Sequence, residues 1–324
     1  MIKKITTLAL SAPFVFAQYT NCDMKNPDYE KICIKAVKKG VSVDYANRFL
    51  LSPKRTKHLD LKSWKYLQPS KSSFHRKKEK EANNALISFV PKIIKHLQQY
   101  QDVYDAVEKK YHVNREIIAA ILAKETRLGT YKPSHEAFSV FNTMLLKSPA
   151  KTSREKWLKH LAISNMVAIL NHCYKAHKEP NECYLSSSYA GAVGYPQFMP
   201  SSFNYTVAYD GGVADLMKME DAIFSIANFL HKKAKFTQLL DYNKIKDIAK
   251  IEKAWYHYEF THKHASFAYE KTRSGRPYNC FTRNKPELSY LKSYVKKVMR
   301  YNSSSNYALG VIRLAYEAHK GLNK

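Results

Sequence analysis

Hydrophobic positions recur along most of this chain at intervals of three and four residues, the spacing that gathers them on one face of an α-helix. Segments 83–111, 154–177 and 286–300 carry mixed charge over such a period, and glycine is scarce, with 9 among 324 residues. The pattern predicts a mainly α protein. Two stretches depart from it. Residues 52–80, SPKRTKHLDLKSWKYLQPSKSSFHRKKEK, are basic and punctuated by proline, and read as an exposed connection between helices. Residues 255–285, WYHYEFTHKHASFAYEKTRSGRPYNCFTRNK, alternate aromatic and polar positions before a Gly-Arg-Pro turn, which predicts a small strand-bearing insert.

The opening MIKKITTLALSAPFVFAQYT places two lysines before an apolar run that ends in small residues, the pattern of a secretory signal with cleavage at Ala17–Gln18. The alternative is a short N-terminal membrane anchor. No later stretch reaches the roughly 18 apolar residues of a membrane span. The expectation is an exported, periplasmic protein with residues 1–17 removed. Five cysteines then meet an oxidising compartment. Cys22 with Cys33 and Cys173 with Cys183 can each close a short loop, leaving Cys280 over. No C-x-x-C occurs and the 13 histidines are scattered, so no structural metal is expected. The balance of 54 basic against 27 acidic residues calls for an anionic partner. Export and the even spread of lysines favour an extracytoplasmic polymer such as the bacterial cell wall over nucleic acid.

Candidate chemistry begins in REIIAAILAKETRLGTY, residues 115–131. Ile117, Ile118, Ile121, Leu122 and Leu128 form an apolar stripe, and Glu125 falls on it. A carboxylate there admits three readings: a buried ion pair, a misjudged helix phase, or a general acid kept protonated by desolvation. Gly129 reads as the helix stop, so the negative end of the helix dipole also favours the protonated form. The second constellation is SSSYAGAVGYPQFMPSSF, residues 186–203. Its small residues allow close approach by a ligand or a helix backbone. Tyr195 and Gln197 offer a stacking face and amide hydrogen bonds, and Pro-Ser at 200–202 starts a helix. A tightly packed turn without a ligand is the other reading.

AKETRLG, then YAGAVGYPQFMPSSF, DAIFSIANFL and MRYNSSSNYALGVIRLA, taken in that order, resemble the membrane-bound lytic murein transglycosylase B family, glycoside hydrolase family 103. The likeness runs from about residue 85 to the C-terminus, and is weakest over 130–185 and 235–290. It implies a lysozyme-like, goose-type helical core over 81–324, with additional N-terminal helices in a basic segment at 18–80 and the small insert around 236–298. It further implies cleavage of the MurNAc-β-1,4-GlcNAc bond of peptidoglycan without water, leaving 1,6-anhydro-MurNAc. Glu125 would be the single acid/base. Ser188, Tyr195, Gln197, Tyr301, Asn302 and Tyr307 would line the substrate groove, with core packing as the alternative for Tyr307.

Several positions depart from the family pattern. Phe229 stands where the family often has tyrosine, Pro196 where it usually has glycine, and only Arg154 remains of a paired-arginine contact. Asp210, Asp215 and Asp221 do not make a 12-residue calcium loop, so no metal or cofactor is expected. Glycan strands are the implied partner, together with other cell-wall enzymes, and neither nucleic acid nor a stable membrane span is expected. A catalytically weak peptidoglycan-binding scaffold of the same fold is the competing function.

Overall fold

Residues 117–123 are completely buried, so the helix that carries Glu125 is wrapped on every side. The computed structural model describes residues 20–67, 81–245, 248–249 and 286–323. In chain order its helices are α1 (Pro27–Val37), α2 (Val43–Leu51), α3 (Pro53–Thr56), α4 (Leu61–Tyr66), α5 (Val90–Gln99) and α6 (Gln101–Tyr111). Then follow α7 (Arg115–Thr126), α8 (Ala137–Lys147), α9 (Ser153–Lys175), α10 (Met219–Lys232), α11 (Pro286–Val298) and α12 (Ser305–Leu322). Short 3-10 turns lie at Ile87–Phe89, Pro200–Tyr205 and Tyr242–Ile245. The α7 helix is the axis: α5, α6, α10 and α12 all pack on it. The apolar stripe read from the sequence is therefore only part of a buried surface that surrounds the helix.

The mainly α expectation holds, and most boundaries have a local cause. Asn26 accepts from the Asp28 backbone N–H at 2.9 Å, with Pro27 opening α1. Thr152 and Glu155 form a reciprocal capping box at the start of α9. The expected single helix over 83–111 is instead broken, by a 3-10 turn at Ile87–Phe89 and by Tyr100 at φ −111°, ψ 32°. Pro91 falls in the first turn of α5, where its missing N–H costs nothing.

Residues 52–67 are not the exposed connection that their charge predicts. Pro53 opens α3, Asp60 caps α4, and both helices pack on α8. Arg55 is buried, donating to the Pro180 carbonyl at 2.6 Å and to that of Cys183, and pairing with Glu136 at 3.4 Å. Glu136 in turn accepts from the backbone N–H groups of Phe138 and Ser139 at the start of α8. A basic residue here serves the interior, because its fork matches a carboxylate and two carbonyls.

The described sheet is one antiparallel pair, β1 (His135–Glu136) and β2 (Ser186–Ser187), with His135 opposite Ser187. Two residues per strand leave no alternation to read. The strand-bearing insert expected at 255–285, Cys280 and residues 1–17 lie outside the described residues. Cys22 is bonded to Cys33 and Cys173 to Cys183, with Cα atoms 5.8 Å apart in each. Among the described residues no helix is long and apolar enough to cross a membrane.

Candidate active site

The C-terminal turn of α7 ends in an uncommon backbone. Arg127 and Leu128 both take left-handed conformations, φ 52° and 58°, before Gly129 at φ 80°. The Leu128 N–H reaches back to the Leu122 carbonyl at 3.0 Å and Arg127 N–H to Ala123 at 3.1 Å, closing the helix two residues before the predicted stop. Two successive non-glycine residues in this region carry strain that the surroundings must hold, a feature that clusters at functional sites. Glu125 sits on this turn, half-buried.

Three contacts fix the turn. Thr126 Oγ1 donates to the Tyr195 carbonyl at 3.1 Å, tying α7 to the glycine-containing loop. A Cβ on Gly129 would come within 2.9 Å of the Met219 side chain and 3.3 Å of the Tyr195 ring. Tyr307 Oη donates to Glu125 Oε1 at 2.6 Å across 182 residues of sequence.

Tyr307 is itself placed by the start of α12. Asn302 accepts from the Ser304 N–H at 3.1 Å, and Ser304 accepts from the Tyr307 N–H at 3.2 Å as the N-cap. The ring is 4 % exposed, so core packing and contact with Glu125 are both true of it. The Tyr301 ring lies parallel, centroids 6.5 Å apart, and its hydroxyl donates to the Pro196 carbonyl. Burial pushes the Tyr301 phenol well above the usual tyrosine range, and the nearby Glu125 charge pushes it further. It stays neutral and donates. A closed circuit results, from Glu125 and Thr126 to Tyr195 and Pro196, then Tyr301, Tyr307 and back.

The glycine-containing loop joins this cluster through the Tyr195 and Pro196 carbonyls. Gly191 has φ 84°, and a Cβ there would meet the Phe141 ring at 2.4 Å. Gly194 has φ 69° and rests on Leu216. Ser188 Oγ accepts from the Ala192 N–H at 3.3 Å, and Gln197, at φ 52°, donates from Nε2 to the Gly194 carbonyl at 2.8 Å. Both side chains are half-buried and stabilise the turn that presents them.

Not every residue picked from the sequence joins this cluster. Phe229 is 4 % exposed and packs on Phe198, Tyr205 and Tyr301, with ring centroids 5.2–5.3 Å apart. It supports Tyr301 and has no face left for a substrate. Asn302 is exposed, with its oxygen spent on Ser304. Arg154 is exposed on the first turn of α9 and donates to the Leu67 carbonyl at 2.7 Å. In the 209–221 loop, the Asp221 carboxylate accepts from the Tyr209 and Asp215 N–H groups at 2.8 and 2.7 Å, so it caps the loop itself.

Sequence reasoning missed Thr126, Asn83 and Lys124. Asn83 is buried, donates to the Asn306 carbonyl at 2.7 Å and accepts from Lys124, whose ammonium lies 4.9 Å over the Tyr307 ring. Gly310 makes room for it, since a Cβ there would strike the Asn83 amide at 2.3 Å. The polar Asn-Asn pair in EANNAL, at the start of an amphipathic segment, was the available signal.

A mainly helical fold built around a buried central helix with a carboxylate at its end fits the lysozyme-like class. The sequence signature of the Transglycosylase SLT domain family matches residues 26–316, and the chain belongs to that family. Membrane-bound lytic murein transglycosylase B of Escherichia coli strain K12 is 32% identical over 133 residues, 40% of this chain. That match spans about a third, 34%, of the relative's length. The E. coli lytic transglycosylase Slt35, solved with bulgecin A, superposes with a TM-score of 0.58 at 19% identity, covering 93% of this chain and 95% of that one. SltB3 of Pseudomonas aeruginosa, solved with NAG-anhNAM-pentapeptide, gives 0.52 at 19% identity over 89% and 77%. At these identities the superpositions establish the lysozyme-like transglycosylase fold.

Proposed function

We propose that this protein is an exported lytic transglycosylase that cleaves peptidoglycan glycan strands, with Glu125 as its only acid/base. The observation that carries the reading is the Tyr307–Glu125 bond at the mouth of the buried helix. Glu125 lies half-buried at the C-terminal end of α7 and accepts that hydroxyl. A group that must give a proton and then take one needs access to both forms. In the first step Glu125 protonates the GlcNAc oxygen as the C1–O bond breaks. In the second, its carboxylate removes the C6 hydroxyl proton as O6 attacks C1 of the same sugar, giving the 1,6-anhydro ring. No external water is consumed, so no second carboxylate is required, unlike an ordinary glycosidase.

By resemblance, Ser188 lies toward the N-acetyl group, and Tyr195, Gln197 and Tyr301 border the scissile sugar. Asn302 and Phe229 act behind them. The two disulfides and the signal-like N-terminus support a periplasmic location, where glycan strands are the partner.

Glu125→Gln should lower sacculus digestion by at least about 10²–10⁴-fold while leaving the fold and wall binding intact. Products released by the parent enzyme, treated with borohydride, should resist reduction because anhydro ends carry no free aldehyde. Substantial lysis by the variant would remove Glu125 from its role. Mostly muramitol in the parent digest would overturn the mechanism and leave the fold assignment standing.

A further inference from the structure

Away from Glu125, α1, the C-terminal half of α9 and the 3-10 turn at 200–205 enclose a furrow of about 1020 Å³. A second section of about 730 Å³ shares His172, Lys175, Phe203 and residues 212–214 with it, so the two are continuous. None of Glu125, Tyr195, Gln197, Tyr301 and Tyr307 lines either section. Lys35, Lys38, Lys39 and Lys175 line the first section, and no acidic side chain does. None of those four lysines forms an ion pair with another described residue. The second section is mixed, with Lys178 and Lys218 beside Glu182 and Asp215. Small apolar side chains line it too: Val167, Ala168, Ala214 and the exposed Val213. Ser201, Asn204 and Thr206 add hydroxyl and amide groups along one side.

We propose that this furrow holds a carboxylate-bearing peptide of the cell wall, an acidic stem, while the glycan lies at Glu125. The proposal deepens the transglycosylase reading and rests on it. The charge of the lining calls for an anion, and the wall substrate of the proposed function carries free carboxylates on its peptides. No arginine lines the furrow, so a ligand's oxygens meet single ammonium charges and not a bidentate fork. Phe203 packs against the His172 ring at 4.9 Å, and the exposed Tyr184 lines the second section. Lysine point charges beside small apolar side chains suit free carboxylates on a chain of small residues. Burial holds the His172 imidazole below its ordinary pKa, with the Asp215 charge opposing, so the ring contributes a neutral hydrogen-bonding edge. Occupancy would tether the enzyme to the wall between cleavage events and raise the effective concentration of glycan at Glu125.

The test compares Lys38→Glu/Lys39→Glu/Lys175→Glu with a charge-matched control, Lys54→Glu/Lys95→Glu/Lys109→Glu; all six lysines are exposed. Binding is measured in the Glu125→Gln background to intact sacculi, to sacculi stripped of stems by an amidase, and to duplex DNA. The furrow variant should bind intact sacculi at least about tenfold more weakly than the control, with a shallower salt dependence. The two should bind stripped sacculi alike and melt at the same temperature. Equal binding to intact sacculi, or an equal loss on stripped sacculi or DNA, would overturn the proposal. Turnover of a short stem-free glycan by the active furrow variant should match the parent. A parent that cleaves nothing would instead refute the transglycosylase reading, separately from the binding result.

Discussion

Replacing Tyr307 by Phe removes one hydroxyl and little else. The ring stays 4 % exposed, parallel to Tyr301 and beneath the Lys124 ammonium. What is lost is a 2.6 Å donor to Glu125 Oε1. A hydrogen bond to a charged acceptor contributes about 1.5–3 kcal/mol. The protonated form gives up only a neutral hydrogen bond of about 0.5–1.5 kcal/mol, so the carboxylate loses about 1–1.5 kcal/mol more. At about 1.4 kcal/mol per pH unit, the alkaline limb of the kcat profile, which marks loss of the donated proton, should move up by roughly 1 unit. The plateau should fall by up to about 10²-fold, because the same interaction also orients the carboxyl group. Initial rates of muropeptide release from pH 4 to 9, with a melting temperature for each protein, measure both. An unmoved alkaline limb with a lowered plateau would reduce Tyr307 to a packing residue. A profile superimposable on the parent's would refute the reasoning altogether.

Gly191→Ala forces a Cβ to 2.4 Å from the buried Phe141 ring at φ 84°, and should destabilise by on the order of 2–4 kcal/mol in denaturant unfolding. An unchanged midpoint would mean that the loop yields freely. Cys173→Ser/Cys183→Ser opens a crosslink with a sequence separation of 10 and should cost about 2–3 kcal/mol, read the same way. His96 is buried beside Tyr104, and burial pushes its pKa down to about 4. The unfolded chain takes up that proton near pH 6.5 and the folded chain does not. Stability should therefore be lost as pH falls from about 6.5 to about 4, by on the order of 3 kcal/mol, and level off below. His96→Phe should flatten that slope; an identical slope would place the titration elsewhere.

Local physics made much of this protein legible. Apolar spacing gave the helices, and the small residues of 186–203 marked a tight turn, where the structure leaves no room for a Cβ at Gly191 or Gly194. Glu125 stood out because a carboxylate among isoleucines is costly unless used. Its partner Tyr307 came only from family resemblance, since nothing near either residue encodes a contact 182 positions away. The tertiary structure alone decided that Phe229 faces inward, that Arg154 reaches Leu67, and that basic residues 52–67 cover the core around Arg55. It also decided that Asn83, Lys124 and Gly310 interlock behind the tyrosine. Composition and periodicity fix which side of a helix is apolar. They do not fix which neighbour buries it, because that choice depends on shape and polar pairing between segments far apart in the chain.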